Sequence, residues 1–341
     1  MLNPAPVRET DRRTAEPLAA AKATPPRKPG PGDVVRRWLL RVIPFVLLIA
    51  AGWVLWREFH TLSIREVGSA MGQWGGGRIA LALCLSALSF LLMGCVEKLG
   101  LGWAGARVPL PSVLGGSFVA NGIAHTVGAN LLVSGAVRAR LYHRYGVSLT
   151  QVAGTTLFCG TAFAVGISTL GGAGMLLSAP EQIAATAIPL PVARTLGAVL
   201  IGWVVCYVLL CAFRRRKPLH AFGRTLTLPR VRDALGQVAI GVTDNATAAA
   251  IIWILLPPDT VHYHTFVGAY AVATVAGLAS TVPAGAGVFE GTMSTLLRTV
   301  NPAPLAAAFL GYRLAFFILP LIVAGAALFL DTLLRRSSRR R

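Results

Sequence analysis

Charged residues are scarce in this chain of 341 residues: they make up 13% of it, against 55% hydrophobic residues. Soluble domains carry about 25% charged residues, so the composition excludes an ordinary soluble protein. Acidic residues are the rarest class, 13 against 32 Lys and Arg. The basic residues lie in short clusters between apolar runs and at both ends, which is typical of cytoplasmic loops under the positive-inside rule. We therefore expect no nucleic-acid partner despite the net charge of +19.

The chain also lacks the short motifs of catalysis and metal binding. None of its five cysteines has CxxC spacing, so the sequence gives no sign of a redox or metal centre. It contains no P-loop, no nucleophile elbow and no HExxH. We expect no cofactor, no metal site and no catalytic residues, and the question of enzymatic activity stays open.

Eight apolar windows approach the roughly 20 residues that a helix needs to cross a bilayer. They cover residues 39–56, 79–96, 150–177, 194–213, 235–256, 264–282, 285–299 and 303–330. The sequence therefore predicts an all-α integral membrane protein with about eight transmembrane helices in a bacterial inner membrane. Basic clusters before the first window and after the last place both termini in the cytoplasm. We expect three parts: a disordered basic tail (1–35), a membrane domain (36–333) and a second basic tail (334–341).

The segment 112–136 does not fit this topology. It lies between basic residues on both sides, and a full crossing would invert every later loop. Its glycines, among them Gly122 and Gly128, each cost about 1 kcal/mol in a helix interior. We predict a re-entrant pair of short helices that enters and leaves on the cytoplasmic side. Such backbone is tolerated only inside protein or beside a polar cavity, so this segment is a candidate site.

A second broken segment lies at 282–290, where Pro283, Gly285 and Gly287 precede Glu290. Interrupted hydrophobic segments of this kind point to substrate sites in transporters. Alternatively, the glycines allow close helix packing. The neighbouring carboxylate favours a site.

Three charged residues lie inside apolar windows: Asp244, Glu290 and Arg313. A charge at mid-bilayer costs about 2.5–3.5 kcal/mol on insertion scales. These residues either line a polar pathway or form a structural ion pair, Arg313 with Asp244 or with Glu290. His125 is a candidate for a proton relay, although a hydrogen-bonded packing role is the simpler interpretation.

Four stretches together resemble the transmembrane region of lysylphosphatidylglycerol synthases. They are GANLLVSGAVRARLYHRYGVS (128–148), TDNATAAAIIWILLP (243–257), TVPAGAGVFEG (281–291) and GYRLAFFILPL (311–321). The resemblance implies a flippase-like domain and a pathway for the lipid headgroup. By position it assigns that pathway to Arg138, Arg140, Tyr142, Asp244, Glu290, Tyr312 and Arg313. This chain differs in having Ala284 and Ala286 where the family often has Gly or bulkier residues. We also expect a stand-alone member of the family, without the soluble aminoacyl-transferase domain of the bifunctional proteins.

From these features we expect a lipid translocase that handles phospholipids, with aminoacylated phosphatidylglycerol as a candidate cargo. Membrane phospholipids are the expected partners, together with a separate aminoacyl-transferase or glycosyltransferase and a second copy of the chain. The alternative is a membrane-embedded transferase, or the non-catalytic subunit of a lipid-modifying complex. In a transferase, Asp244 or Glu290 would act as a general base.

Overall fold

The computed structural model describes residues 64–127, 130–213, 219–221, 224–226, 228–280 and 282–327. The first predicted span, 39–56, lies outside the described residues, as do both predicted tails. The domain boundaries at residues 35 and 333 lie outside them as well.

Helices dominate the described chain. They are α1 (Ile64–Gly72), α2 (Gly76–Trp103), α3 (Leu110–Val127), α4 (Asn130–Tyr142), α5 (Leu149–Leu177), α6 (Pro180–Ala184), α7 (Leu190–Phe213), α8 (Val231–Leu255), α9 (Tyr263–Ala279), α10 (Val288–Leu296) and α11 (Pro302–Arg313). Short 3-10 turns occupy His143–Tyr145 and Pro283–Gly285, and a π-helical turn at Leu314–Ile318 carries the last helix on to Ala327. Between α7 and α8, strand β1 (Leu219–Ala221) pairs antiparallel with β2 (Arg224–Leu226).

Five helices in the described part of the chain are long and apolar enough to cross a membrane. They are α2, α5, α7, α8 and the helix Pro302–Ala327, and each coincides with a predicted apolar window. Helix α9 matches the window 264–282, and its 17 residues extend about 26 Å, close to the bilayer core of about 30 Å. The all-α membrane fold is confirmed.

Helix α8 packs between α2 and α5 at the centre of the bundle. It meets α5 where Gly241 faces Gly166, and a Cβ atom on Gly166 would lie only 2.3 Å from the Gly241 carbonyl carbon. Small residues at such crossings let two backbones approach closely in membranes. One turn earlier on α8, the Gln237 amide donates to the carbonyl of Phe158 on α5 (2.9 Å). The face where α7 ends and α8 begins is called the basic face below, since the Arg-rich connection leaves from it.

Helices α3 and α4 form a hairpin whose two open ends lie at the basic face. Ser112 Oγ, near the start of α3, lies 2.5 Å from the hydroxyl of Tyr145, just after α4. The Gln151 amide at the start of α5 donates to the carbonyl of Ala104, just after α2 (3.2 Å). The chain therefore enters and leaves on one side, as predicted for the re-entrant segment 112–136.

Helices α9 and α10 form a second hairpin, which opens on the opposite face. At the start of α9, Thr265 Oγ1 lies 3.1 Å from Ser178 Oγ at the end of α5. At the end of α10, the carbonyl of Leu296 accepts the N–H of Ala187 (3.1 Å). Ala187 and Ser178 both lie in the connection between α5 and α7. The nine residues of α10 extend about 14 Å, roughly half of the bilayer core. The prediction of a complete span at 285–299 is therefore wrong in length, because a left-handed turn interrupts the helix before Val288.

The two hairpins meet inside the protein: α3 contacts the Pro283–Gly285 turn that joins α9 to α10. Helix α3 also lies against the last span (Pro302–Ala327), where a Cβ atom on Gly122 would come within 3.3 Å of the Pro320 carbonyl oxygen. Two interrupted elements that enter from opposite faces are thus packed against each other and against the last span.

Candidate functional site

A buried ion pair joins the first hairpin to α2. Arg138 Nη2 on α4 lies 2.9 Å from Glu97 Oε2 on α2, and the two side chains are 3% and 0% exposed. The other carboxylate oxygen, Oε1, accepts the hydroxyl of Tyr142 at 2.5 Å. Arg138 and Tyr142 lie one turn apart on α4, so both reach the same carboxylate.

Polar side chains inside the hairpin complete this cluster. Arg138 Nη1 donates to Ser134 Oγ one turn earlier on α4 (3.0 Å). Its Nη2 also donates to Asn121 Oδ1 on α3 (3.4 Å), and the Asn121 amide donates to Ser117 Oγ (3.0 Å). Arg138 thus binds groups from α2, α3 and α4, and it holds the hairpin to the span beside it.

Arg140 differs from Arg138 although only one residue separates them. Its side chain is exposed, because α4 turns about 200° between the two positions. Arg140 has no salt-bridge partner among the described residues. It lies in the last turn of α4, next to the basic face, so it remains available to an anionic group.

A second buried ion pair joins the second hairpin to α11. Arg313 donates from Nε to Glu290 Oε1 at 2.8 Å and from Nη2 to the same oxygen at 2.5 Å. Its Nη1 donates to the carbonyl of Ala284 in the turn (3.0 Å). Glu290 Oε2 accepts the backbone N–H of Gly287 (2.8 Å) and so caps the start of α10. Of the two partners considered for Arg313, the structure selects Glu290.

The turn between α9 and α10 has left-handed backbone. The φ angles of Ala284, Gly285 and Gly287 are 54°, 60° and 81°. Glycine adopts such angles freely, whereas alanine pays a steric cost of about 1 kcal/mol. Pro283 opens the 3-10 turn that contains Ala284 and Gly285. In the other hairpin, Gly128 lies outside the described residues.

Asp244 lies midway along α8 and has a different environment from Glu97 and Glu290. It is half-buried, and it accepts a hydrogen bond from the Ser89 hydroxyl on α2. Helices α9 and α11 also pack against α8, and each contributes a buried tyrosine, Tyr270 and Tyr312. Within the described residues no Lys, Arg or His forms a salt bridge with it.

Aromatic rings fill the space between α3 and the last span. The ring of Tyr312 stacks on Phe316, with centroids 5.2 Å apart, and the guanidinium of Arg313 lies 5.0 Å from the centroid of Phe317. His125 stacks on Phe316 on the α3 side, at 5.6 Å. These contacts give His125 a packing role, and its Nδ1 has no hydrogen-bond partner in the described structure.

Sequence reasoning missed Glu97 and Ser89. Glu97 directly follows the apolar window 79–96, so it reads as an interfacial residue at the end of a span. Ser89 is a small residue inside the same window and gives no signal of its own. A search for a counter-ion to the arginines of α4 would have drawn attention to Glu97, since buried arginines are normally paired.

The arginines of α4, the left-handed turn before Glu290 and the ion pair of Arg313 are the parts of the chain that carry the resemblance. The family described as Lysylphosphatidylglycerol synthase TM region matches residues 41–324. The chain belongs to this family. It is 30% identical over 304 residues to the uncharacterized protein slr0712 of Synechocystis sp. (strain ATCC 27184 / PCC 6803 / Kazusa), covering 87% of this chain and 92% of the relative.

A second relative is an inner membrane protein by name. The chain is 30% identical over 301 residues to the inner membrane protein YbhN of Escherichia coli (strain K12), covering 84% of this chain and 88% of the relative. Together with the five helices that are long and apolar enough to cross a membrane, this similarity supports a multi-pass location in the inner membrane. No group of three His, Cys, Asp or Glu side chains that could hold a metal ion occurs in the part of the chain that the structure describes.

Proposed function

We propose that this protein moves phospholipid headgroups between the leaflets of the inner membrane, with aminoacylated phosphatidylglycerol as a candidate cargo. The observation that carries the proposal is the contact between α3 and the Pro283–Gly285 turn. It joins two interrupted hairpins that enter from opposite faces. In transporters, substrate sites lie near the midplane where such discontinuous helices meet. Membership of the lysylphosphatidylglycerol synthase family supports a lipid as the substrate class.

The charged side chains take separate roles in this proposal. Arg140 attracts the lipid phosphate at the basic face, because the planar guanidinium matches two phosphate oxygens. Arg138 and Tyr142 hold the first hairpin through Glu97, and Arg313 and Glu290 hold the second. Asp244, which has no cationic partner among the described residues, offers its carboxylate to a cationic headgroup, and Tyr312 belongs to the same proposed pathway.

The orientation and the partners belong to the same proposal. The basic face and both termini lie in the cytoplasm, following the positive-inside rule. A separate aminoacyl-transferase or glycosyltransferase supplies the modified lipid from that side, and a second copy of the chain is a further candidate partner.

The direct test is reconstitution of the full chain in liposomes that carry labelled lysyl-phosphatidylglycerol in one leaflet. We expect the label to reach the other leaflet faster than in protein-free liposomes. Arg140→Ala should slow this transfer, because it removes the exposed guanidinium at the basic face. Arg298→Ala is the matched control, since Arg298 is also exposed but follows α10 on the opposite face. Equal rates with and without protein would refute the proposal.

A further inference from the structure

Three carboxylates lie inside the membrane-spanning part of the described chain, and they are not equivalent. Glu97 and Glu290 each contact an arginine, at 2.9 Å and 2.5 Å. Asp244 has no such cation within the described residues. Its hydrogen-bond donor is the neutral hydroxyl of Ser89. Arginines neutralise Glu97 and Glu290, so among these three carboxylates Asp244 is the one whose negative charge is not neutralised.

In the part of the chain that the structure describes, the elements packed around Asp244 supply no counter-ion. Helix α2 contributes the Ser89 hydroxyl. Helices α9 and α11 also pack against α8, and their buried tyrosines are Tyr270 and Tyr312. Tyrosine hydroxyls stay neutral near pH 7. Arg313 follows Tyr312 but binds Glu290. Helix α5 contacts α8 through the uncharged Gly166–Gly241 crossing, about one turn before Asp244. The tyrosine of α7, Tyr207, hydrogen-bonds Gln237, two turns away on α8.

An ionised carboxylate in this position is costly, because burial without a counter-ion carries a penalty of several kcal/mol. A carboxyl group escapes this penalty in two ways, by taking up a proton or by binding a cationic ligand. Asp244 is half-buried, so part of its surface is accessible to either one. A proton and a cationic headgroup therefore compete for the same oxygen atoms.

We propose that Asp244 exchanges a proton for the cationic headgroup, so that lipid export is driven by the proton gradient. The inference rests on the proposed function and adds its energy source. The ionised carboxylate binds the ammonium group of the lipid from the basic face. On the opposite face a proton from water protonates the carboxylate, and the headgroup leaves. The neutral acid then releases that proton at the basic face, which restores the carboxylate with no other reactant.

The transport test uses the full chain in proteoliposomes with labelled lysyl-phosphatidylglycerol. Acidifying only the solution at the face opposite the basic face should accelerate lipid transfer toward that face. A protonophore should abolish the acceleration. Asp244→Asn should slow lipid transfer, because it removes the carboxylate that binds the headgroup, and the remaining transfer should not respond to the gradient. Asp259→Asn makes the same chemical change in an exposed connection whose φ of 58° suits asparagine, and it should respond as the unmodified protein does.

An infrared measurement separates failure of this inference from failure of lipid transport. Acidifying the purified protein protonates many of its 13 acidic side chains, and each gives a carbonyl stretching band. The band of Asp244 is the component that should be missing in Asp244→Asn and retained in Asp259→Asn. Ser89→Ala should produce it at milder acidity, because the ionised form loses its hydrogen-bond donor. This variant keeps Asp244 and serves if the asparagine variant does not fold.

The outcomes are distinct. If the band responds as expected but no lipid moves under any gradient, the transport function fails while the proton site stands. If lipid moves at a rate that ignores the pH gradient, or follows a sodium gradient instead, the proton exchange is refuted while the transport function stands. A band that persists unchanged in Asp244→Asn also refutes the exchange.

Discussion

Removing the charge of Glu97 tests whether its ion pair with Arg138 holds the first hairpin in place. Both side chains are almost fully buried, at 0% and 3% exposure. Breaking a buried pair by neutralising one partner costs about 3–5 kcal/mol, because the remaining charge has no counter-ion. Glu97→Gln retains an amide oxygen that accepts the Tyr142 hydroxyl, so the substitution isolates the effect of the charge. We expect it to destabilise the protein by about 3–5 kcal/mol.

Arg138→Gln should have a similar effect, because it leaves the carboxylate unpaired. The double variant Glu97→Gln/Arg138→Gln carries no charge at the site. It should be more stable than the sum of the single changes predicts, by about 0.5–3 kcal/mol. The assay is unfolding of the purified protein in mixed micelles of increasing SDS content, followed by tryptophan fluorescence.

Arg140→Gln is the matched control, because it removes a guanidinium from the same helix at an exposed position. Its effect should stay within about 0.5 kcal/mol. Strict additivity of the Glu97 and Arg138 changes would refute the reasoning, since it would mean that the two charges do not stabilise each other. Destabilisation by Arg140→Gln as large as that by Arg138→Gln would also refute it.

Three further predictions use the same unfolding assay. Ala284→Gly should stabilise the protein by up to about 1 kcal/mol, because glycine adopts the φ of 54° without strain; a clear loss of stability would contradict this. Tyr142→Phe should cost about 1.5–3 kcal/mol through loss of the 2.5 Å hydrogen bond to a carboxylate, and no change would show that the carboxylate is satisfied elsewhere. Trp74→Phe should cost about 1 kcal/mol, because its indole N–H donates to the backbone carbonyl of Leu255 (2.9 Å); an effect below about 0.3 kcal/mol would exclude a contribution from that bond.

Much of the fold was predictable because apolar length is a local property of the sequence. Five apolar windows became spanning helices, and the charge pattern around 112–136 predicted a hairpin with both ends on one face. The window 285–299 was misjudged because its composition is as apolar as a span. The preceding left-handed turn shortens α10, and hydropathy does not register backbone geometry.

The candidate site was less predictable, because its pairings depend on distant parts of the chain. Asp244 and Glu290 looked alike as counter-ions for Arg313, and only the tertiary arrangement selects Glu290. Arg138 and Arg140 looked alike as basic residues near a membrane face. Their separation into one buried and one exposed side chain follows from the partner Glu97 on another helix.

The two ion pairs have related but reversed arrangements. In the first, the hairpin supplies Arg138 and a spanning helix supplies Glu97; in the second, the hairpin supplies Glu290 and a spanning helix supplies Arg313. A buried ion pair adds little net stability compared with an apolar contact, but loss of one partner is costly. Each pair therefore fixes the position of a hairpin more than it strengthens the fold. The charges of both pairs cancel, so Asp244 on the central helix α8 is, of the three intramembrane carboxylates in the described part of the chain, the one without a counter-ion. A ligand or proton that binds there changes the net charge beside both hairpins without breaking either pair.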